Sequence, residues 1–329
     1  MAGQHFFGSA DIGLKPAHAI LKTPVWVAAG LLCTVLWGSA PSAIKAAYEH
    51  LQVTSSDIAS MLLFAGIRFA LGGLITLLFT GYRQKGVPTL VRSLWLKVLL
   101  LAFVQTVVHY AFYFVGAAKT SATHMSILSS MQSFILVILA HFIDKNDRLS
   151  LRKALAILFG ISGIVLLNLG KATDGSSLIG DVLILLAALT GTLATLITRA
   201  LVRRTDPFLL TGWQLLAGGL SLGGIGLAFG GRLVFTWPGI LLILYLALLS
   251  AIAFSLWSLL LEYHPVTRVG IFNSLIPVFG TLIAGLFLGE RIFSARTILA
   301  MLLVSIGVYI VTSHRQKRAE QENPEGYGN

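Results

Sequence analysis

The sequence predicts an all-α integral membrane protein with ten transmembrane helices arranged as two inverted five-helix repeats. Three observations point there. The first is composition: of 329 residues, 56% are hydrophobic and 11% charged, with a mean hydropathy of +0.84. Soluble chains carry about 25% charge, and a chain this poor in charge cannot clothe itself in a wetted surface. The second is that the apolar runs are continuous. The strands of a transmembrane barrel alternate in period two, which leaves helices as the structures that satisfy their own backbone in hydrocarbon. The third is that the two halves of the chain resemble each other.

The apolar runs fall at 25–47, 58–80, 94–117, 122–143, 154–169, 178–201, 208–229, 238–261, 269–288 and 298–312. Most approach the roughly 20 residues needed to cross a bilayer. Residues 1–24 form a mixed cytoplasmic segment, and the run after Pro24 is too long for a cleaved signal core. It therefore reads as the first helix. The break around Lys119 is so short that the third and fourth spans form a tight hairpin. Residues 170–177 link the repeats (25–169 and 178–312) on the outside. Residues 313–329 are polar and read as a disordered cytoplasmic tail.

The formal net charge is +11, but the basic residues cluster between apolar runs, as at Arg83 and Lys85 or Arg203 and Arg204. No nucleic-acid-binding motif accompanies them, so they report topology. With both termini inside, most Lys and Arg lie on the inner side. Lys45, Lys119, Lys171, Arg232, Arg291 and Arg296 lie outside, and Arg68 falls within a span. This predicts a multi-pass protein of the cell membrane with both termini cytoplasmic. The one cysteine, Cys33, excludes an intramolecular disulfide.

The internal repeat is visible where Gly66-Ile67-Arg68-Phe69-Ala70-Leu71-Gly72-Gly73 aligns with Gly212-Trp213-Gln214-Leu215-Leu216-Ala217-Gly218-Gly219. Gln214 then stands where Arg68 stands. Ser162-Gly163-Ile164-Val165 likewise parallels Ser305-Ile306-Gly307-Val308. An odd number of helices per repeat inverts the second half relative to the first. Inverted repeats with a midplane site recur in secondary transporters.

The chain resembles the drug/metabolite transporter superfamily, in its ten-helix form with two EamA repeats. The residues carrying the resemblance are Trp37-Gly38-Ser39, Ile44-Lys45, Arg68-Phe69, Asn273-Ser274-Leu275-Ile276-Pro277-Val278-Phe279, Leu288-Gly289-Glu290-Arg291 and Gly307-Val308. The first repeat departs from the pattern in two places. Met131-Gln132 stands where a proline is expected in the fourth span, and Asp144-Lys145-Asn146-Asp147 replaces the terminal Gly-Glu. A missing proline restores a backbone hydrogen bond, so the fourth and ninth helices are expected to bend differently. The resemblance implies export or exchange of amino acids, other metabolites or amphipathic drugs.

Polar groups within spans are the candidate site. Arg68 reads either as the counter-charge for a solute carboxylate or as a structural group held by a carbonyl array or Asp57. Gln105, His109 and Tyr113 recur every four residues and share one helix face. Repeat alignment sets Trp257 opposite Tyr113, an aromatic pair that could clamp a solute. Trp37, Gln132, Gln214 and Asn273 complete the candidate substrate-binding set. Their amides, with Ser126, Ser129, Ser133, Ser274 and Thr281, suit a small neutral or zwitterionic solute or simple interhelical bonding.

His109 and His124 are proton-coupling candidates, because Asp181, Glu262 and Glu290 sit near span ends. The alternative is a histidine packed and hydrogen-bonded between helices. Gly219 with Gly223, Gly226 with Gly230, and Gly285 with Gly289 permit close helix approach and, by hypothesis, a rocking helix.

No Walker loop, zinc-binding His pair or nucleophile elbow occurs, so neither an enzyme nor a metal site is expected. No cofactor is expected, and a proton gradient is the candidate driving force. The expected partners are the lipid bilayer and a small-molecule solute, with no nucleic acid. A monomer suffices for this reading, though nothing in the sequence sets an oligomeric state. The leading function is export of amino acids or related solutes by alternating access, with multidrug efflux as the alternative. A non-transporting receptor or assembly subunit is the reading from another class, and two-sided access argues against it.

Overall fold

A computed structural model describes residues 23–143, 151–168, 177–264, 269–288 and 294–322, and every regular element among them is helical. In chain order the α-helices are α1 (Thr23–His50), α2 (Ile58–Gln84), α3 (Trp95–Ala102), α4 (His109–Ala117), α5 (Ala122–Ser129) and α6 (Met131–Ile143). They continue with α7 (Leu151–Asn168), α8 (Leu178–Leu201), α9 (Pro207–Ala228), α10 (Trp237–Tyr263), α11 (Ile276–Leu288) and α12 (Ala295–Glu322). A π-helical turn, Phe103–Val108, joins α3 to α4, and a 3₁₀ segment, Ile271–Leu275, precedes α11.

Six segments among the described residues are long and apolar enough to cross a membrane: Val25–His50, Ile58–Gln84, Arg92–Ala117, Leu178–Leu201, Pro207–Ala228 and Trp237–Tyr263. Three shorter apolar helices accompany them: Ala154–Gly163, Ile276–Leu288 and Ala295–Ile310. The surface is apolar where a soluble protein would be polar. Leu96, Leu286 and Phe287 are each 79% exposed, whereas Thr80, Thr106, Ser126 and Thr192 are wholly buried. Such an outward apolar belt needs lipid to cover it.

Local sequence explains where the helices start. Asp57 accepts from the Ser60 amide at 2.9 Å and caps α2. Ser121 caps α5, Ser177 caps α8, and Asp206 accepts from both Phe208 and Leu209 before α9. Thr236 caps α10 ahead of Pro238. Each supplies an acceptor to an amide that has no partner within its helix.

Three expectations need correction. The fourth span is not a straight helix: it breaks at Ser130, although no proline is there. The Ser126 hydroxyl donates to the Ala122 carbonyl at 3.0 Å and that of Ser130 to the Ser126 carbonyl at 3.2 Å. The Ser130 amide donates back to Ile127, and that of Ser133 to Ser130. Serine hydroxyls that bond back one turn bend helices, and here they break the fourth span where Leu275 and Ile276 interrupt the ninth. The third span likewise contains the π turn rather than a uniform α-helix. The polar end of the chain is not a loose tail from residue 313, because α12 continues to Glu322. Its Arg, Gln, Lys, Ala and Glu residues are strong helix formers. Residues 1–22, 144–150, 169–176, 265–268, 289–293 and 323–329 lie outside the described residues, and with them the Gly289-Glu290-Arg291 and Asp144–Asp147 motifs and most of the 170–177 linker.

Helices α2 and α9 meet along a seam of glycines. A Cβ at Gly66 would lie 2.8 Å from the Gly219 carbonyl oxygen, one at Gly73 2.8 Å from that of Gly212, and one at Gly226 2.8 Å from that of Ala59. Backbone meets backbone here, so no side chain can move aside. Helix α7 packs on α12 in the same manner, with Gly163 against the Ala300 carbonyl and Gly307 against that of Ala156.

These contacts come in reciprocal pairs. Gly163 meets Ala300 while its aligned partner Gly307 meets Ala156. Arg68 of α2 donates to Ser250 of α10, while Gln214 of α9 donates to Thr106 in the π turn. Beside each hydroxyl sits a glycine: Gly72 next to Ser250, and Gly218 next to Thr106.

Candidate functional site

Between α1, the π turn with α4, α5 and α6, α8, α10 and the 3₁₀ segment lies a cavity of about 120 Å³. Trp37, Arg68, Gln105, His109, Tyr113, Gln132, Trp257 and Asn273 all line it. The other sequence candidates do not. Gln214 is 2% exposed and donates to Thr106. His124 is 2% exposed and belongs to a separate cluster described below.

The third span supplies one wall. The π turn widens the helix so that the His109 amide donates five residues back, to Val104. Gln105 Oε1 accepts from the Thr198 hydroxyl at 3.3 Å. His109 Nδ1 lies 2.6 Å from the Ala187 carbonyl oxygen. A carbonyl only accepts, so Nδ1 carries the proton and neutral His109 keeps its lone pair on Nε2. Its ring stacks on Tyr113 with centroids 6.0 Å apart and meets Tyr110 edge-on at 4.5 Å.

The opposite wall is built on α6 and α8. Gln132 Nε2 donates to the Thr195 hydroxyl at 3.0 Å, and the Thr192 hydroxyl donates to the Gln132 carbonyl at 3.1 Å. Gly191 makes room for both walls. A Cβ there would sit 2.9 Å from Gln132 Oε1 and 3.0 Å from His109 Cε1. Asn273 Nδ2 donates to the Ser133 hydroxyl at 3.3 Å, tying the 3₁₀ segment to α6. Trp257 packs edge-to-face against Trp37 at 4.8 Å. The ring partners of Tyr113 are His109, Tyr110 and Phe114. The expected clamp is therefore two aromatic groups on one cavity, Trp37 with Trp257 and Tyr113 with His109, rather than a direct Tyr113–Trp257 pair.

Arg68 is 2% exposed. Its Nη2 donates to the Ser250 hydroxyl at 3.0 Å. The guanidinium carbon stands 4.4 Å from the Phe69 ring centroid, 5.4 Å from that of Phe114 and 5.9 Å from that of Tyr110. Nε and Nη1 have no hydrogen-bond partner among the described residues. Asp57, the partner weighed from the sequence, instead caps α2.

Interhelical contacts tie the bundle at both ends of the cavity. At one end the Tyr48 hydroxyl donates to the Phe114 carbonyl and Lys45 Nζ to that of Ala117, each at 3.1 Å. At the other end the Trp26 ring meets His264 at 5.0 Å and Phe272 at 5.4 Å. There Arg199 also donates to the carbonyls of Leu261 and His264.

A second buried cluster joins the starts of α5 and α8. Asp181 Oδ1 accepts from the Thr120 hydroxyl at 2.6 Å, and His124 Nδ1 lies 3.3 Å from Asp181 Oδ2. The sequence placed Asp181 at a span end, where water would reach it. It is 2% exposed, because Lys119 and Ser177 bring the two loops together through hydrogen bonds from the Ser177 amide and hydroxyl to the Lys119 carbonyl. Sequence reasoning also passed over Tyr110, Thr195, Gly191, Thr120 and Ser250. The hydroxyl stripe Thr195–Thr198 with Gly191, at helical spacing on α8, was the available signal for that wall.

A cavity walled by amides, hydroxyls and aromatic rings inside an apolar bundle suits a small polar solute. No group of His, Cys, Asp and Glu able to hold a metal occurs among the described residues. A family match covers residues 24–169 and again 178–313, both to the EamA-like transporter family. The chain belongs to the EamA-like transporter family. It is accordingly a multi-pass membrane protein of transporter type, related to the drug/metabolite transporters that its motifs resemble.

Among curated relatives, this EamA-family chain is 25% identical over 287 residues to a chloroplastic WAT1-related protein of Arabidopsis thaliana, covering 84% of this chain and 66% of that one. It is 25% identical over 289 residues to the uncharacterized transporter YoaV of Bacillus subtilis, covering 85% and 94%. A crystal structure 18% identical in sequence shares the fold with a TM-score of 0.64, over 90% of this chain and 99% of the other.

Proposed function

We propose that this chain is a secondary transporter of the cell membrane that exports amino acids or related small metabolites by alternating access. The observation that carries the proposal is the cavity, whose polar and aromatic lining comes from both halves of the chain. In this reading ten spans form two inverted repeats, at 25–169 and 178–312, with both termini cytoplasmic. The reciprocal Arg68–Ser250 and Gln214–Thr106 contacts support the repeat, since a two-fold relation turns one contact into the other. The glycine seam between α2 and α9 then acts as a rigid core, and the contacts at the two ends of the cavity open in turn.

Trp37, Arg68, Gln105, His109, Tyr113, Gln132, Trp257 and Asn273 are the proposed solute contacts. Gln214 serves the packing of α9 instead. His124, paired with Asp181, is the proposed proton carrier, and His109 is the second candidate. The Trp37–Trp257 contact favours multidrug efflux as a second reading, because stacked rings accept flat amphipathic compounds.

Reconstitution into liposomes with a panel of labelled amino acids, with and without a pH gradient, tests the proposal. Flux of at least one amino acid above that of empty vesicles is expected. Flux of amphipathic dyes alone would replace metabolite export by drug efflux, and no flux of any solute would remove the transporter reading.

A further inference from the structure

We propose that Arg68 is the docking point for a carboxylate, so that the transported solutes are acids and zwitterions rather than the matching amides and amines. This rests on the transporter reading above and names the charge that its cavity selects. Arg68 is always charged and 2% exposed, and it lines the cavity. No Asp or Glu lines that cavity among the described residues. The buried carboxylate of Asp181 is already engaged by Thr120 and His124.

The rings of Phe69, Phe114 and Tyr110 stabilise the cation through their faces. Face contacts leave the in-plane N–H donors unused. Ser250 takes one of the two hydrogens on Nη2. The other, beside an unpartnered Nε or Nη1, leaves a two-pronged donor edge, which is the edge that a carboxylate accepts in parallel bonds. A buried guanidinium with open donors is costly unless an anion completes it.

The second half of the chain shows that packing does not demand this charge. At the equivalent crossing the neutral amide of Gln214 meets the hydroxyl of Thr106, with Gly218 beside it as Gly72 lies beside Ser250. The guanidinium is thus additional to what holds the helices together, and it stands on the cavity side where Gln214 does not.

The test uses the full chain in liposomes loaded with labelled amino acids, each compared with its carboxamide and its decarboxylated amine. The panel is run on the unaltered protein, Arg68→Gln, Arg68→Lys and, as a folding comparison, Gln214→Leu. Acids are expected to move at least about tenfold faster than their amides and amines. Arg68→Gln should lose that advantage, and Arg68→Lys should keep part of it. Equal flux of acids and amides, or undiminished acid flux in Arg68→Gln, overturns the assignment. Should Arg68→Gln fail to fold, the acid-to-amide ratio of the unaltered protein decides alone. Flux of amides and amines without acids would leave the transporter reading standing and sink the docking role. No flux of any solute would sink both.

Discussion

Arg68 crosses from α2 to Ser250 on α10, and Gln214 crosses from α9 to Thr106 in the π turn. Both side chains are 2% exposed, and both reach a hydroxyl beside a glycine. One is a cation ringed by three aromatic faces that lines the cavity; the other is a neutral amide that does not. The difference separates what the crossing needs from what the site adds. A hydrogen bond at a close helix approach is common to both halves, whereas charge and aromatic rings belong to one. Duplication has kept the joint twice and left one copy free to take on recognition.

The largest expected effect removes the joint itself. Gly73→Ala places a methyl against the backbone of α9, which cannot yield, and should cost about 3 kcal/mol. The fraction of monodisperse protein after detergent extraction reads it. Gly224→Ala, with nothing within 4 Å of the new Cβ, should extract like the unaltered protein. Equal losses in both would show that the glycine seam is not what holds α2 to α9.

Next in size is the chemistry at each crossing. Replacing both partners in the second half, Gln214→Leu with Thr106→Val, should cost about 1 kcal/mol, because no polar group is left stranded. Transport rates should persist, and the midpoint of thermal unfolding should shift little. Ser250→Ala in the first half leaves Arg68 without its hydroxyl and should cost about 2 kcal/mol. A smaller cost for Ser250→Ala than for the double replacement would reverse the contrast drawn between the halves.

The His124–Asp181 cluster gives a third measurement. In His124→Gln or Asp181→Asn vesicles, stimulation by a pH gradient should disappear while exchange without a gradient continues. A variant that keeps the full stimulation would return this cluster to a packing role. The smallest effect is expected at the helix breaks. Ser130→Ala removes one back-bonded hydroxyl from the fourth span and should move the unfolding free energy by about 1 kcal/mol or less. Pro277→Ala in the ninth should exceed it, since proline also removes an amide donor.

The long helices were legible because continuous hydrophobicity over some 20 residues has one structural solution in lipid. Most of the cavity was legible for a related reason. Arg68, Gln105, His109, Gln132 and Asn273 are polar residues in apolar runs, and such groups turn inward. What the sequence hid depends on contacts between distant segments. Gln214 is as polar as Gln132, and only the packing of α9 on the π turn turns it away from the cavity. Asp181 looked solvated because it opens a helix, yet the Lys119 and Ser177 loops close over it. Ser130 breaks a helix by hydroxyl bonding, a property that serine shows only in a particular rotamer.

The π turn at Phe103–Val108 means that the third span carries one residue more than an α-helix of the same path would hold. Deleting a single residue there would restore ordinary winding and swing everything beyond it by about 100°. Gln105 and the residues before it would stay in place, while His109 and Tyr113 would be turned out of the cavity toward neighbouring helices. The recognition surface on this span is therefore a matter of phase, set by one surplus peptide unit.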